Sequence, residues 1–187
     1  MTLAGAQPRA ALAALAATAA CIAAPSSAHA QDGCANAAAA ASVAPAPQVG
    51  AAVRCLINRT RSVRGLPALR ASERLRLAAA RHGADMVRRR YFEHVSPDGG
   101  SLTERIGRTG YLSGVDDYAL GENIAWGTGP LSTPQSIFEA WMKSPGHRAV
   151  ILNGSFREAG VGVVRGVPAA VEGAGATYVL NVGVADR

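Results

Sequence analysis

The sequence predicts an α+β domain in which helices are laid down first and a small antiparallel sheet is completed last. Four segments between residues 51 and 145 repeat apolar side chains at helical spacing behind local start signals. Two β-rich runs, Gly160–Val164 and Tyr178–Val184, occur only in the last third of the chain. Helical and strand segments are therefore segregated rather than alternating, which argues against a doubly wound sheet.

The first helix is expected to begin near Ala51, with Val53, Leu56, Ile57 and Thr60 along it, and to stop at Gly65 and Pro67. Ser72 is placed to cap a second helix that carries Leu75, Ala79, His82 and Met86 on one face and Arg74, Arg81 and Arg88 elsewhere. Ser101-Leu102-Thr103-Glu104 is a capping box that opens a short third helix ending before Gly110. Thr133-Pro134 opens a fourth, with Ile137, Phe138 and Trp141 turned inward and Pro145-Gly146 closing it. The two β-rich runs, joined by a Gly- and Ala-rich connection, suggest paired strands.

What precedes the domain points to export. Arg9 is followed by an almost purely Ala/Leu run, Ala10 to Ala24, and then by Ala28-His29-Ala30, small residues at the two positions a signal peptidase inspects. Residues 1–30 are expected to be a removable signal, leaving Gln31 as the new amino terminus. The run is shorter than the roughly 20 residues that span a bilayer, and no later stretch comes close. Thr18-Ala19-Ala20-Cys21 is a poor lipobox, because an aliphatic residue is expected where Thr18 stands. Residues 31–50, rich in Ala and Pro, form a leader, and 51–187 the domain proper, secreted or held in the periplasm or cell envelope. Removal of the signal leaves Cys34 and Cys55 in an oxidising compartment, so the arithmetic gives one disulfide or none, and one is expected.

The formal net charge is +6, nearly all of it from arginine. A basic exported protein suits anionic partners such as cell-wall polymers, phosphate-rich lipids or polysaccharide. Arg54, Arg59, Arg61 and Arg64, and Arg88-Arg89-Arg90, equally sit where a solvated helix face would put them. No aromatic interleaving accompanies the charge, and with export this excludes nucleic acid as the expected partner.

Three segments carry more polarity and punctuation than folding requires: Phe92–Gly99, Leu120–Gly127 and Ala140–Leu152. Each sets a His or Glu in a turn or at an element end, where functional side chains are commonly presented. Together with Asn58–Arg61, Ala80–Met86 and Gly160-Val161-Gly162, and in this order, they resemble the CAP superfamily, the group of cysteine-rich secretory, antigen 5 and pathogenesis-related 1 proteins, in its bacterial secreted form. The resemblance runs from about Val53 to Val184.

That resemblance implies an α-β-α sandwich with a central cleft lined by two histidines and two acids able to hold a divalent cation. The histidines fall on His94 and His147 and the first acid on Glu122, with Asn123 beside it. The second acid is expected three residues after the tryptophan, where this chain has Ser144. Glu139 lies on the same helix, but its offset from Trp141 points it to another face. Two imidazoles and one carboxylate could bind Zn²⁺ with water completing the shell, with Glu122 either a ligand or a group that orients a histidine. His82 is expected to be a hydrogen-bonded core histidine. Ser96, Ser101 and Ser144 lie near histidines in sequence, but none sits in a Gly-x-Ser-x-Gly setting, so turn or cap roles are expected. Asn123 is expected to fix its segment through backbone groups.

Three functions fit these features. The first is a binding module that holds an extracellular lipid, glycan or protein in the cleft of His94, Glu122, Asn123, Ser144 and His147. The second is a metal-assisted hydrolase of cell-wall or protein substrates, with Glu122 and His147 as catalytic candidates and His94 and His147 as metal ligands. The third is a structural envelope protein. A mechanism that needs two carboxylates is hard to build where one is Ser144.

Overall fold

The computed structural model describes residues 33–186. The expected signal peptide and Cys21 lie outside the described residues. Among those residues are five α-helices, α1 (Ala46–Ser62), α2 (Glu73–Arg89), α3 (Leu102–Gly107), α4 (Pro134–Lys143) and α5 (Pro145–Leu152), and four strands, β1 (Arg70–Ala71), β2 (Asp117–Thr128), β3 (Glu158–Arg165) and β4 (Gly175–Asp186). The sheet order is β1-β3-β4-β2. Strand β4 pairs antiparallel with both β3 and β2, and only the two-residue β1 joins parallel, at the β3 edge.

The helices cover both faces, giving the α-β-α sandwich. On one face Tyr178, Leu180 and Val182 of β4 and Val161 and Val163 of β3 meet Val53 and Ile57 of α1, Ile137 and Trp141 of α4, and Ile151 of α5. On the other, Val179 of β4 and Ile124 of β2 meet Ala79 and Met86 of α2. The period of two in a strand sends alternate β4 residues to opposite layers, so a strand buried on both sides is nearly continuous in apolar character. Glycine sets the depth of α2. A Cβ at Gly160 would lie 2.0 Å from the Arg76 backbone nitrogen, and one at Gly162 would lie 2.3 Å from that of Ala80, so only glycine lets the helix rest on β3.

The start signals act as local chemistry dictates. Oγ of Ser72 accepts from the Leu75 N–H, Ser101 and Glu104 form the reciprocal capping box, and Oγ1 of Thr133 accepts from the Ser136 N–H. Three features differ from expectation. Helix α1 begins at Ala46 behind Pro45, upstream of Ala51, and buries Val49 and Ala52. Pro145 does not merely close α4; it sits in the first turn of α5, where a missing N–H costs nothing. Leu120–Gly127 is neither a turn nor an element end but the middle of β2, paired residue for residue with β4.

Cys34 and Cys55 form the expected disulfide, tying the segment before α1 to the middle of that helix. Loss of a loop constraint of this size costs about 3 kcal/mol in the chain-entropy model. The variant Cys34→Ser/Cys55→Ser is expected to keep its circular dichroism spectrum and to unfold at lower urea by that amount. Reduction of the unmodified protein should give the same drop.

Candidate functional site

The site is built around β2, which lies at the open edge of the sheet. Alternation along this strand turns Glu122 to the α2 layer and Asn123 to the α4–α5 layer. Glu122 is opposite Asn181 on β4, which is in turn opposite Gly160 on β3. Because Gly160 has no side chain, Asn181 reaches the backbone of α2. With its amide oriented to satisfy both neighbours, Nδ2 donates to Glu122 Oε2 at 3.1 Å and Oδ1 accepts from the Ala79 N–H at 3.2 Å.

Glu122 is sealed. Its side chain is 3% exposed, and Arg105 of α3, itself 8% exposed, spans both oxygens from Nη2 at 3.0 and 2.8 Å. His94 Nδ1 donates to Oε1 at 2.8 Å. A carboxylate can only accept, so this bond fixes the His94 tautomer or its protonated form and leaves Nε2 directed elsewhere. The hydrogen bond to Glu122 holds the His94 pKa above the usual imidazole value, against the opposing effect of partial burial. Arg105 also anchors the loop itself, with Nη1 donating to the carbonyls of His94 and Gly100 at 2.9 and 2.8 Å.

His82 behaves as a core histidine. It is buried on α2, its Nε2 donates to the Glu93 carbonyl at 3.0 Å, and burial lowers its pKa. It thereby pins the residue next to His94. From the other layer, Asn123 Nδ2 donates to the His147 carbonyl at 3.0 Å and Trp141 Nε1 to the Ile124 carbonyl at 3.2 Å, tying α5 and α4 to β2. Burial lowers the His147 pKa, and the charge on neighbouring His94 lowers it further. The two histidines thus come from opposite layers and face one another electrostatically across the edge strand.

Ser144 lies half-buried at the junction of α4 and α5. Glu139 is exposed and accepts from Gln135 Nε2. Ser101 is occupied as a cap and Ser96 accepts from the Tyr91 hydroxyl, so among the described residues no serine hydroxyl bonds a histidine. Arg105 went unrecognised in the sequence. Its signal was its place three residues after Leu102 and next to Ile106, both of which pack in the α3 core cluster, so it shares the inward side of a six-residue helix.

A divalent cation fits this set poorly. Among the described residues no group of three or more His, Cys, Asp and Glu is placed to hold a metal ion. The Glu122 oxygens already face a guanidinium, whose charge would repel the cation. The donors left are two imidazoles, fewer than the three protein ligands of an open zinc site.

Comparison with known proteins agrees with this geometry. A family model, that of the Cysteine-rich secretory protein family (CAP), matches residues 55–171. The chain is 38% identical over 109 residues to the uncharacterized protein YkwD of Bacillus subtilis, covering 58% of this chain and 40% of that protein. It is also 38% identical over 110 residues to the uncharacterized membrane protein YlbC of the same organism, covering 59% of this chain and 30% of that protein. The crystal structure of an extracellular protein containing an SCP domain from Bacillus anthracis superposes with a TM-score of 0.60 at 30% identity, covering 73% of this chain and 40% of that one. The chain thus spans well under half the length of these relatives. Among its described residues no helix is long and apolar enough to cross a membrane. With a family match over more than half its length and the α-β-α layers that hold His94, Glu122 and His147 at one strand edge, the chain belongs to the CAP family of cysteine-rich secretory proteins.

Proposed function

We propose that this chain is an exported binding module whose His94–His147 cleft holds an acceptor-rich extracellular glycan. The observation that supports it is the sealing of Glu122 beneath Arg105 and His94. A general acid or base must reach the substrate, and a carboxylate that is 3% exposed and bonded on both oxygens does not. What Glu122 does instead is hold His94 as a proton donor. The His94 side chain is 55% exposed, and its loop also exposes Phe92 and Val95, an apolar flank suited to a sugar face. The Ala/Leu run and the Ala28-His29-Ala30 end of residues 1–30 support export with removal of that segment, and a relative described as extracellular points the same way.

The test is calorimetric titration of the purified protein with an N-acetylglucosamine tetrasaccharide and with soluble peptidoglycan fragments, alongside a folded His94→Ala/His147→Ala variant. The reading expects saturable binding that the variant weakens at least tenfold, about 1.4 kcal/mol, with no new reducing ends released. Bond cleavage that disappears in Glu122→Gln would overturn it in favour of a hydrolase. So would submicromolar zinc binding lost in the histidine variant, since two imidazoles alone bind weakly.

A further inference from the structure

A cavity of about 410 Å³ lies between α2, α3 and the loop around Ser96, with Arg105 in its lining. Arg81, Arg88 and Arg89 of α2 and Arg105 and Arg108, from α3 and its C-terminal end, line it. On α2 the spacing Arg81, Asp85, Arg88, Arg89 places all four on one helical face, and Arg105 and Arg108 are three apart on the facing element. The stripe is solvent-exposed, and it lines the rim of one concavity.

Its charges are not balanced. Asp85 pairs with Arg88 and Arg89, Asp98 lies 3.6 Å from Arg89, and Glu122 occupies Arg105. The Arg81 guanidinium has no ion pair or hydrogen bond among the described residues, and the Arg108 guanidinium is attracted by the Glu104 carboxylate without a side-chain hydrogen bond to it. The Nε–H of Arg105 is buried with no acceptor. Donors and positive charge are thus in excess around a cavity within the usual size range for small-ligand sites, roughly 300–1,000 Å³.

We propose that this cavity binds a phosphate-bearing ligand, with Arg81, Arg88 and Arg108 supplying charge-assisted hydrogen bonds. Several guanidinium forks around one concavity match a group with multiple charged acceptor oxygens better than they match a neutral sugar. The cavity shares Arg105 with the His94–His147 cleft but neither histidine, and its test does not depend on the glycan reading. The phosphate could come from a lipid headgroup or from a soluble or polymeric phosphate ester.

The experiment titrates the purified protein with glycerol phosphate at low ionic strength, and measures its sedimentation with phosphatidylcholine vesicles with and without phosphatidylglycerol. Arg81→Gln/Arg88→Gln changes exposed side chains and should fold. It is expected to weaken glycerol phosphate binding at least tenfold, consistent with loss of two charge-assisted bonds. Arg59→Gln/Arg64→Gln, the same charge change in the exposed last turn of α1 and the turn that follows it, should alter it less than about twofold if the site rather than net charge binds. Arg108→Gln provides a second, single-site check. Absence of saturable binding to both phosphate and vesicles, or equal loss in the two double variants, overturns the proposal. Vesicle binding displaced by glycerol phosphate identifies a lipid source; glycerol phosphate binding without vesicle binding identifies a soluble or polymeric one, and either supports the site.

Discussion

Replacement of Arg61 by methionine will cost about 3–5 kcal/mol, more than any exposed arginine in the chain, because a buried donor set is lost and its acceptors remain buried. Arg61 is fully buried, although its neighbours in α1 suggest a solvated face. Its guanidinium donates to the carbonyls of Pro67, Ile151 and Asn153 at 2.8 Å each and to that of Phe156 at 3.3 Å. It therefore joins the end of α1 to the end of α5 and to the approach to β3. Among the described residues no carboxylate pairs with it. Burial lowers its pKa, with the charge of Arg157 acting in the same direction, and only the ring of carbonyls holds the cation in place. Methionine fills much of the volume and satisfies none of the acceptors. In a domain of this size the loss corresponds to a melting temperature lower by roughly 10 °C. Arg61→Lys should fall between, since an ammonium has fewer donors and no planar fork. Arg59→Met, two residues away and exposed, should lie within about 0.5 kcal/mol of the parent. Urea unfolding of the three variants checks the ranking, and an Arg61→Met protein as stable as Arg59→Met would sink the argument.

Arg61 also shows where a sequence stops being informative. The starts of α2, α3 and α4 were legible because Ser72, Ser101 and Thr133 bond to N–H groups three residues away, a relation written in the sequence itself. Strands β3 and β4 were legible from their valine and glycine content, and the two cysteines from their number. Strand β2 was not, because Gly121, Glu122, Asn123 and Gly127 look like turn chemistry, and only pairing with β4 makes them a strand. The partners that bury Glu122 and Asn123 lie far away in sequence, at Arg105 and at the His147 carbonyl. The same holds for an arginine: a helical wheel sets Arg61 in line with buried Val53 and Ile57 and Arg59 nearly opposite, but whether an arginine on that line at the end of a helix reaches out to water or meets four carbonyls is decided by tertiary neighbours. His94, Glu122 and His147 were recognisable as a set through resemblance. Their division of labour, with Glu122 inside and the histidines outside, required the sheet.

That division predicts the second large effect, in Glu122→Gln. The substitution leaves the Arg105 guanidinium buried without its counter-charge, and breaking one side of a buried pair costs about 3–5 kcal/mol. Adding Arg105→Met should recover part of it, because the two groups act as a unit. The pH dependence isolates the histidine. Since the bond to Glu122 is the largest influence raising the His94 pKa, its removal should let that value fall. In the parent, the folded His94 value stands above the unfolded one, so its stabilising contribution is complete below about pH 6.5 and is lost as pH rises through the folded value. The stability gap between parent and Glu122→Gln should therefore narrow across that window and level off at the constant cost of the stranded Arg105. His147 supplies the second readout. Burial holds its pKa down and the charge on His94 adds to that, so a less protonated His94 should let His147 titrate higher in the variant. Histidine resonances followed by NMR would show one imidazole moving down and the other up. A purely structural role for Glu122 predicts destabilisation with neither shift, and that result would remove the charged His94 donor on which the glycan reading depends.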